Sequence, residues 1–165
     1  MKLFLGILVC TFGFFCAGFS VGDGIARHEF SEAQKIIPKQ DIIFRELIPS
    51  SFLATVDKIH RLYGFEYKLI YRLVDTESRW NPRAVGHNPN GTTDQGLCQL
   101  NSSNSWGDIS DPNDNLLAGF KYLSIMVLQT GSLEGGLLAY NCGPGRFATG
   151  KIPESTIKYA KEILR

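Results

Sequence analysis

Between residues 49 and 79 the apolar positions recur every three to four residues, the spacing that lines one face of an α-helix. Ser50 or Ser51 can cap a first helix carrying Phe52, Val56, Ile59 and Tyr63, with Gly64 stopping it. A second helix is predicted from about Glu66 to Arg79, its buried stripe formed by Leu69, Ile70, Leu73 and Val74. Asn81-Pro82 is expected to end it, because the residue before proline disfavours the α conformation. The pattern then breaks down. Residues 83–107 are rich in Gly, Asn, Ser and Thr, and Asn88-Pro89-Asn90-Gly91 is a turn signal, so a loop or short β-hairpin is expected there. Helical spacing resumes at Asp111-Pro112, which reads as N-cap plus first helical residue. That helix carries Leu116, Leu117, Phe120, Leu123, Val127 and Leu128 and closes at Gly131. A short helix over about 133–140 follows. Gly143-Pro144-Gly145 then breaks the chain, and a last helix carries Ile157, Ala160, Ile163 and Leu164. The fold class is mainly α, with one small irregular or β-hairpin excursion at 83–107.

The first twenty residues have a different character. Lys2 is followed by an almost unbroken apolar run to Phe19 in which small residues gather at the end. One positive charge, an apolar stretch and small residues after it make a signal peptide over residues 1–20, cleaved near residues 18–22. An uncleaved anchor is the alternative, and is the one route by which the chain would meet a membrane. Val9 before Cys10 and Phe15 before Cys16 are too bulky for a lipid-attachment site. Residues 21–48 form a mixed leader, with a short helix expected from Ser31, and residues 49–165 form the folded domain. The chain is expected to be exported, to the periplasm or cell envelope.

Composition narrows the function classes. A chain of 165 residues, 44% hydrophobic and 12% aromatic, is one domain with a real core, not a disordered segment. Seventeen Lys+Arg against sixteen Asp+Glu leaves no electrostatic footprint for nucleic acid. Removing residues 1–20 takes Lys2 away and balances the charges at sixteen each, and it leaves Cys98 and Cys142 of the four cysteines. An oxidising compartment allows these two a disulfide, and two buried free thiols are the other reading. His28, His60 and His87 have no zinc-site spacing, and no Ser/His/Asp or phosphate-cradling signature is present, so no cofactor is expected.

Glu77 is out of place. It lies three residues after Val74, four after Leu73 and seven after Ile70, so it continues the apolar face. A carboxyl group there is partly desolvated, which disfavours its charged form and suits a general acid near neutral pH. The plainer reading is a helix-end glutamate whose stripe has already reached water. Its surroundings argue for the first. Glu77-Ser78-Arg79-Trp80-Asn81-Pro82 is followed in order by Gly96-Leu97-Cys98-Gln99-Leu100-Asn101, then by Asp111-Pro112-Asn113-Asp114-Asn115-Leu116. Ala139-Tyr140-Asn141-Cys142-Gly143 and Pro153-Glu154-Ser155-Thr156-Ile157-Lys158-Tyr159 complete the set. This series resembles the soluble lytic transglycosylases, lysozyme-like enzymes that cut peptidoglycan, over about residues 49–165. The insert Asn88 to Asp94 is similar to that of the small members linked to secretion, conjugation and invasion machines, and to animal-type lysozymes.

The resemblance implies a lysozyme-like α+β fold and a set of roles. Glu77 corresponds to the acid/base, Ser78 lies beside it as a substrate-binding residue of the cleft, Gln99 faces the glycan, and Tyr140 and Asn141 line the site opposite. The implied reaction cleaves the β-1,4 bond between N-acetylmuramic acid and N-acetylglucosamine, and the sugar's own 6-hydroxyl closes a 1,6-anhydro end. Peptidoglycan strands are the implied partner, with a secretion or conjugation apparatus as a further one. Asp94, seventeen residues after Glu77, stands where animal-type lysozymes keep a second carboxylate, which would make hydrolysis a rival outcome; a loop aspartate bonded within its turn is the alternative. A non-catalytic glycan-binding assembly subunit is the other rival. Cys98 and Cys142 replace the methionine and the small residue usual in the family. A disulfide between their two motifs is the expectation that follows. Trp80 and Trp106 flank the polar excursion, as sugar platforms or packed aromatics.

Overall fold

A computed structural model describes residues 39–165. The expected signal peptide and the leader up to residue 38, with the start of its expected helix at Ser31, lie outside the described residues. Helices α1 (Lys39–Leu47), α2 (Ser50–Tyr63) and α3 (Tyr67–Ser78) lead into a small sheet of β1 (Val85–His87), β2 (Thr93–Gln95) and β3 (Leu100–Asn101). Then follow α4 (Pro112–Thr130), α5 (Leu133–Cys142), α6 (Pro144–Ala148) and α7 (Glu154–Leu164). The expected mainly α architecture with one hairpin excursion is the one observed.

The periodicities become packing. Val56 and Ile59 of α2, Ile70, Leu73 and Val74 of α3, and Leu116, Phe120 and Leu123 of α4 are fully or almost fully buried in one core. Each such side chain contributes about 1.5–3 kcal/mol on leaving water. α4 runs against both α2 and α5, and α7 closes on α3 and α5. Its start is the expected one: the Asp111 side chain accepts from the Asn113 N–H at 2.7 Å, with Pro112 at the first helical position. Of the apolar residues of α4, Leu128 is 82% exposed, whereas Met126 is buried.

Two boundaries differ from expectation for local reasons. α3 stops at Ser78, where Arg79 (φ 53°) and Trp80 (φ 60°) both turn left-handed, two residues ahead of Asn81-Pro82. Residues 39–48, read as leader, pack into the domain. Ile48 joins the core, and the buried Asp41 accepts from the Lys68 N–H at 2.9 Å, satisfying a first-turn donor of α3 that Glu66 leaves uncapped.

The sheet is antiparallel in the order β1-β2-β3, with Val85 opposite Gln95 and Asp94 opposite Asn101. Asn115 of α4, buried beneath it, holds it to the helices. Its Oδ1 accepts from the Cys98 N–H at 2.9 Å and its Nδ2 donates to the Gln95 carbonyl at 3.0 Å. Gly96 lies against that amide with φ +75°, and a Cβ there would stand 2.5 Å from Asn115 Nδ2. Ser78 Oγ adds a bond to the Leu97 carbonyl at 2.9 Å, tying the end of α3 to the same turn.

Candidate active site

Between the sheet and the helices lies a cavity of about 620 Å³. Glu77 from the last turn of α3, Asp94 of β2, Gln99 from the turn before β3, and Tyr140 and Asn141 of α5 all line it. Five residues separated by up to sixty-four positions in the chain thus share one wall system.

Glu77 is half-buried, and a residue of α7 completes its environment: the Tyr159 hydroxyl donates to Glu77 Oε1 at 2.5 Å. Burial pushes the Glu77 carboxyl up to about 7. The Tyr159 bond opposes that rise by favouring the charged form, and the Asp94 charge adds to it. With Oε1 engaged by Tyr159, Oε2 is the oxygen available to carry a proton. The Tyr159 phenol is itself raised well above its usual range, by burial and by Glu77.

Asp94 is held in a different way. Asn88 Nδ2 donates to one of its oxygens at 2.9 Å and Asn101 Nδ2 to the other at 2.7 Å. Amide donors on both oxygens suit an ionised carboxylate. Two carboxyl groups thus share one cavity, one raised by burial and bonded to a single phenol, the other held between two side-chain amides.

The remaining expected residues divide. Gln99, left-handed at φ 45°, lines the cavity but spends its amide donors on the Ala84 and Gly96 carbonyls, at 3.2 and 2.9 Å. Tyr140 donates to the Cys98 carbonyl at 2.8 Å, and Asn141 Oδ1 accepts from Thr156 Oγ1 at 2.7 Å, which leaves the Asn141 amide donors uncommitted among the described residues. Ser78 is not part of the lining; its hydroxyl bonds to the Val74 and Leu97 carbonyls, so it braces the wall behind Glu77. Trp106 lines the cavity with its indole N–H bonded to the Asn101 carbonyl at 2.7 Å, whereas Trp80 stacks on Phe52 with centroids 6.1 Å apart.

The expected Cys98–Cys142 disulfide is not formed: both are free thiols. Cys98 is fully buried against α4, its Cβ and Sγ each 2.5 Å from where a Cβ on Gly119 would stand. Cys142 Sγ instead faces its own turn, 3.7 Å from the Gly143 carbonyl. Burial raises both thiols above their ordinary range, the opposite of the shift that activates a cysteine nucleophile. No group of three or more His, Cys, Asp or Glu among the described residues could hold a metal ion.

Sequence reasoning passed over Tyr159, Asn115, Asn88 and Asn101. Tyr159 stands in a quoted motif, but its partner is 82 positions away and no local period joins them. Asn115 carried a usable signal, a polar residue immediately before the apolar run of α4 and on its buried side.

The sequence profile of the Transglycosylase SLT domain matches residues 55–163, a span that contains every cavity residue named above. The chain belongs to this family of lytic transglycosylases. The SLT domain is 31% identical over 113 residues to the invasion protein IagB of Salmonella typhimurium, covering 62% of this chain and 68% of IagB. IagB of Salmonella typhi matches to the same extent. Among solved structures, the 70 kDa soluble lytic transglycosylase SLT70 of Escherichia coli superposes with a TM-score of 0.57 at 25% identity. That match covers 73% of this chain and 24% of SLT70. An inactive mutant of the lytic transglycosylase Slt of Pseudomonas aeruginosa shares the fold, with a TM-score of 0.56 at 22% identity over 84% of this chain and 26% of that one. The SLT domain spans about a quarter of the length of either enzyme.

Proposed function

We propose that this SLT domain cleaves peptidoglycan glycan strands as a lytic transglycosylase, with Glu77 as the single acid/base. One arrangement supports the reading above the others: a carboxyl held near 7 by burial, fixed by Tyr159, in an open cavity otherwise lined mostly by neutral hydrogen-bonding side chains. At neutral pH a large share of Glu77 is protonated. It donates that proton to the oxygen linking N-acetylmuramic acid to N-acetylglucosamine as the C1–O bond breaks. The muramic N-acetyl oxygen shares its electrons with the anomeric carbon, and the uncommitted Asn141 amide in the cavity lining is the group we assign to orienting it. The ionised Glu77 then takes the proton of the muramic 6-hydroxyl as its oxygen bonds to C1, giving the 1,6-anhydro ring. No water is consumed, and Glu77 ends protonated as it began.

Asp94 supports a second outcome. Its negative charge in the same cavity favours positive charge developing at the anomeric carbon, and a carboxylate there serves hydrolysis as well as ring closure. Digests of purified peptidoglycan separate the two by mass, since anhydro products are lighter by one water. Glu77→Gln is expected to lower release of either product by about 10²–10⁴-fold. A Glu77→Gln protein that still clears wall material overturns the assignment. Asp94→Asn is expected to leave anhydro products and remove reducing ends; the reverse would make Asp94 the partner of ring closure.

The substrate lies outside the cytoplasmic membrane, which agrees with residues 1–20 acting as an export signal. The likeness to an invasion protein supports a task beside an envelope-spanning secretion or invasion apparatus, where a wall must be opened locally.

A further inference from the structure

α7 reaches the cavity wall twice. Thr156 and Tyr159 stand three residues apart in its first two turns, so their side chains leave the same face of the helix. Tyr159 donates to Glu77 of α3, and Thr156 Oγ1 donates to Asn141 Oδ1 of α5 at 2.7 Å. Thr156 is 2% exposed, and its hydroxyl makes no other bond among the described residues. A buried hydroxyl whose hydrogen finds no acceptor is costly. Turning the Asn141 amide over would put its NH2 against Thr156 and leave that hydrogen without a partner, so the amide is held one way round. Its oxygen is turned to α7, and its two N–H donors are left to the cavity. Gln99 is fixed in the opposite sense, with its donors spent on the Ala84 and Gly96 carbonyls.

We propose that Thr156 is a positioning residue of the reaction, which sets the Asn141 amide so that the cavity meets the substrate there with a donor and selects an acceptor, the N-acetyl carbonyl. The inference rests on the reading of Asn141 as the group that orients the N-acetyl. Without the hydroxyl, the amide is free to present either end. With its carbonyl forward, acceptor would face acceptor, and the N-acetyl oxygen would lose its guide to the anomeric carbon. One face of α7 thereby controls two separate properties of the site. Tyr159 bears on the proton of Glu77, and Thr156 on the direction of Asn141. A pH profile reports the first and is blind to the second.

Thr156→Val keeps the side chain's shape and removes its hydroxyl. On purified peptidoglycan the full-length variant should lose about three- to ten-fold in kcat with KM unchanged. The alkaline limb of its pH–rate profile should stay where the wild type has it, and Thr156→Ser should restore the wild-type kcat. Asn141→Ala should lower kcat by itself, and adding Thr156→Val to it should cost nothing more, since no amide is left to orient. A limb that moved would mean that the change loosens α7 and releases Tyr159 from Glu77, a purely structural role that overturns the proposal. A Thr156→Val enzyme as fast as wild type would overturn it too, as would losses that add in the double variant. Asn141→Ala as active as wild type would instead sink the reading of Asn141 beneath it, and the proposal with it.

Discussion

Tyr159 donates its phenolic hydrogen to Glu77 Oε1 at 2.5 Å, joining α7 to the last turn of α3. The bond pulls the carboxyl towards its charged form while burial pushes it the other way, and burial prevails. The site therefore holds a glutamate whose proton affinity is a balance of two opposed contributions. Either can be removed separately.

Tyr159→Phe deletes the contribution that lowers the affinity. Glu77 should then hold its proton to higher pH, and the alkaline limb of the pH–rate profile should move up by about one unit. The plateau should fall at the same time, because Oε1 loses the donor that fixes it. A limb that moved down would mean that the hydroxyl favours the neutral acid.

The same imbalance should be visible in stability. Glu77 titrates at about 7 in the folded chain against an ordinary value of 4.5, so between these pH values the folded state binds more protons than the unfolded one. Stability should accordingly fall as pH rises from about 4.5 to about 7, and stay reduced above by roughly 3 kcal/mol. Glu77→Gln removes that penalty. Urea denaturation should find the variant more stable than wild type at about pH 8 and nearly equal to it at about pH 4. Equal stability at both would show that the native carboxyl is not shifted.

Asn115→Ala should separate the sheet from the helices it rests on. The change strips the Cys98 N–H and the Gln95 carbonyl of their partner, at a cost of about 2–4 kcal/mol. The denaturation midpoint should drop, and KM for glycan should rise more than kcat falls, since Glu77 sits on the other side of the joint. An unchanged midpoint would show that other ties hold the sheet.

Much of this was legible from the residues in order. Val56, Ile59, Ile70 and Leu73 announced their helices through spacing alone, and Asp111-Pro112 announced the start of α4 through cap chemistry. Glu77 could be singled out because a carboxylate on an apolar stripe contradicts its own neighbours. The failures have a common cause in interactions that close at a distance. Nothing near Trp80 foretold a left-handed pair at the end of α3, and nothing near Tyr159 named Glu77 as its partner. Ser78 followed the glutamate in sequence and was expected in the cavity; its hydroxyl is instead used by the Leu97 carbonyl. The cysteines misled for a related reason. Two motifs that converge on one cavity need not point their sulfurs at each other, and the closeness of α4 at Gly119 claims Cys98 first.

The bond between α7 and α3 also bears on when the chain becomes an enzyme. With α7 undocked, Glu77 would lose the Tyr159 bond and its cover on that side, and its proton affinity would move towards that of an ordinary carboxyl group. A chain caught part-way through folding thus carries the glutamate but not the acid. Contacts this far apart in sequence are among the slower ones to form. Protonation of Glu77 at neutral pH is therefore a chemical mark that α7 has docked on α3, and a titration of this one carboxyl would report on tertiary structure rather than on local sequence.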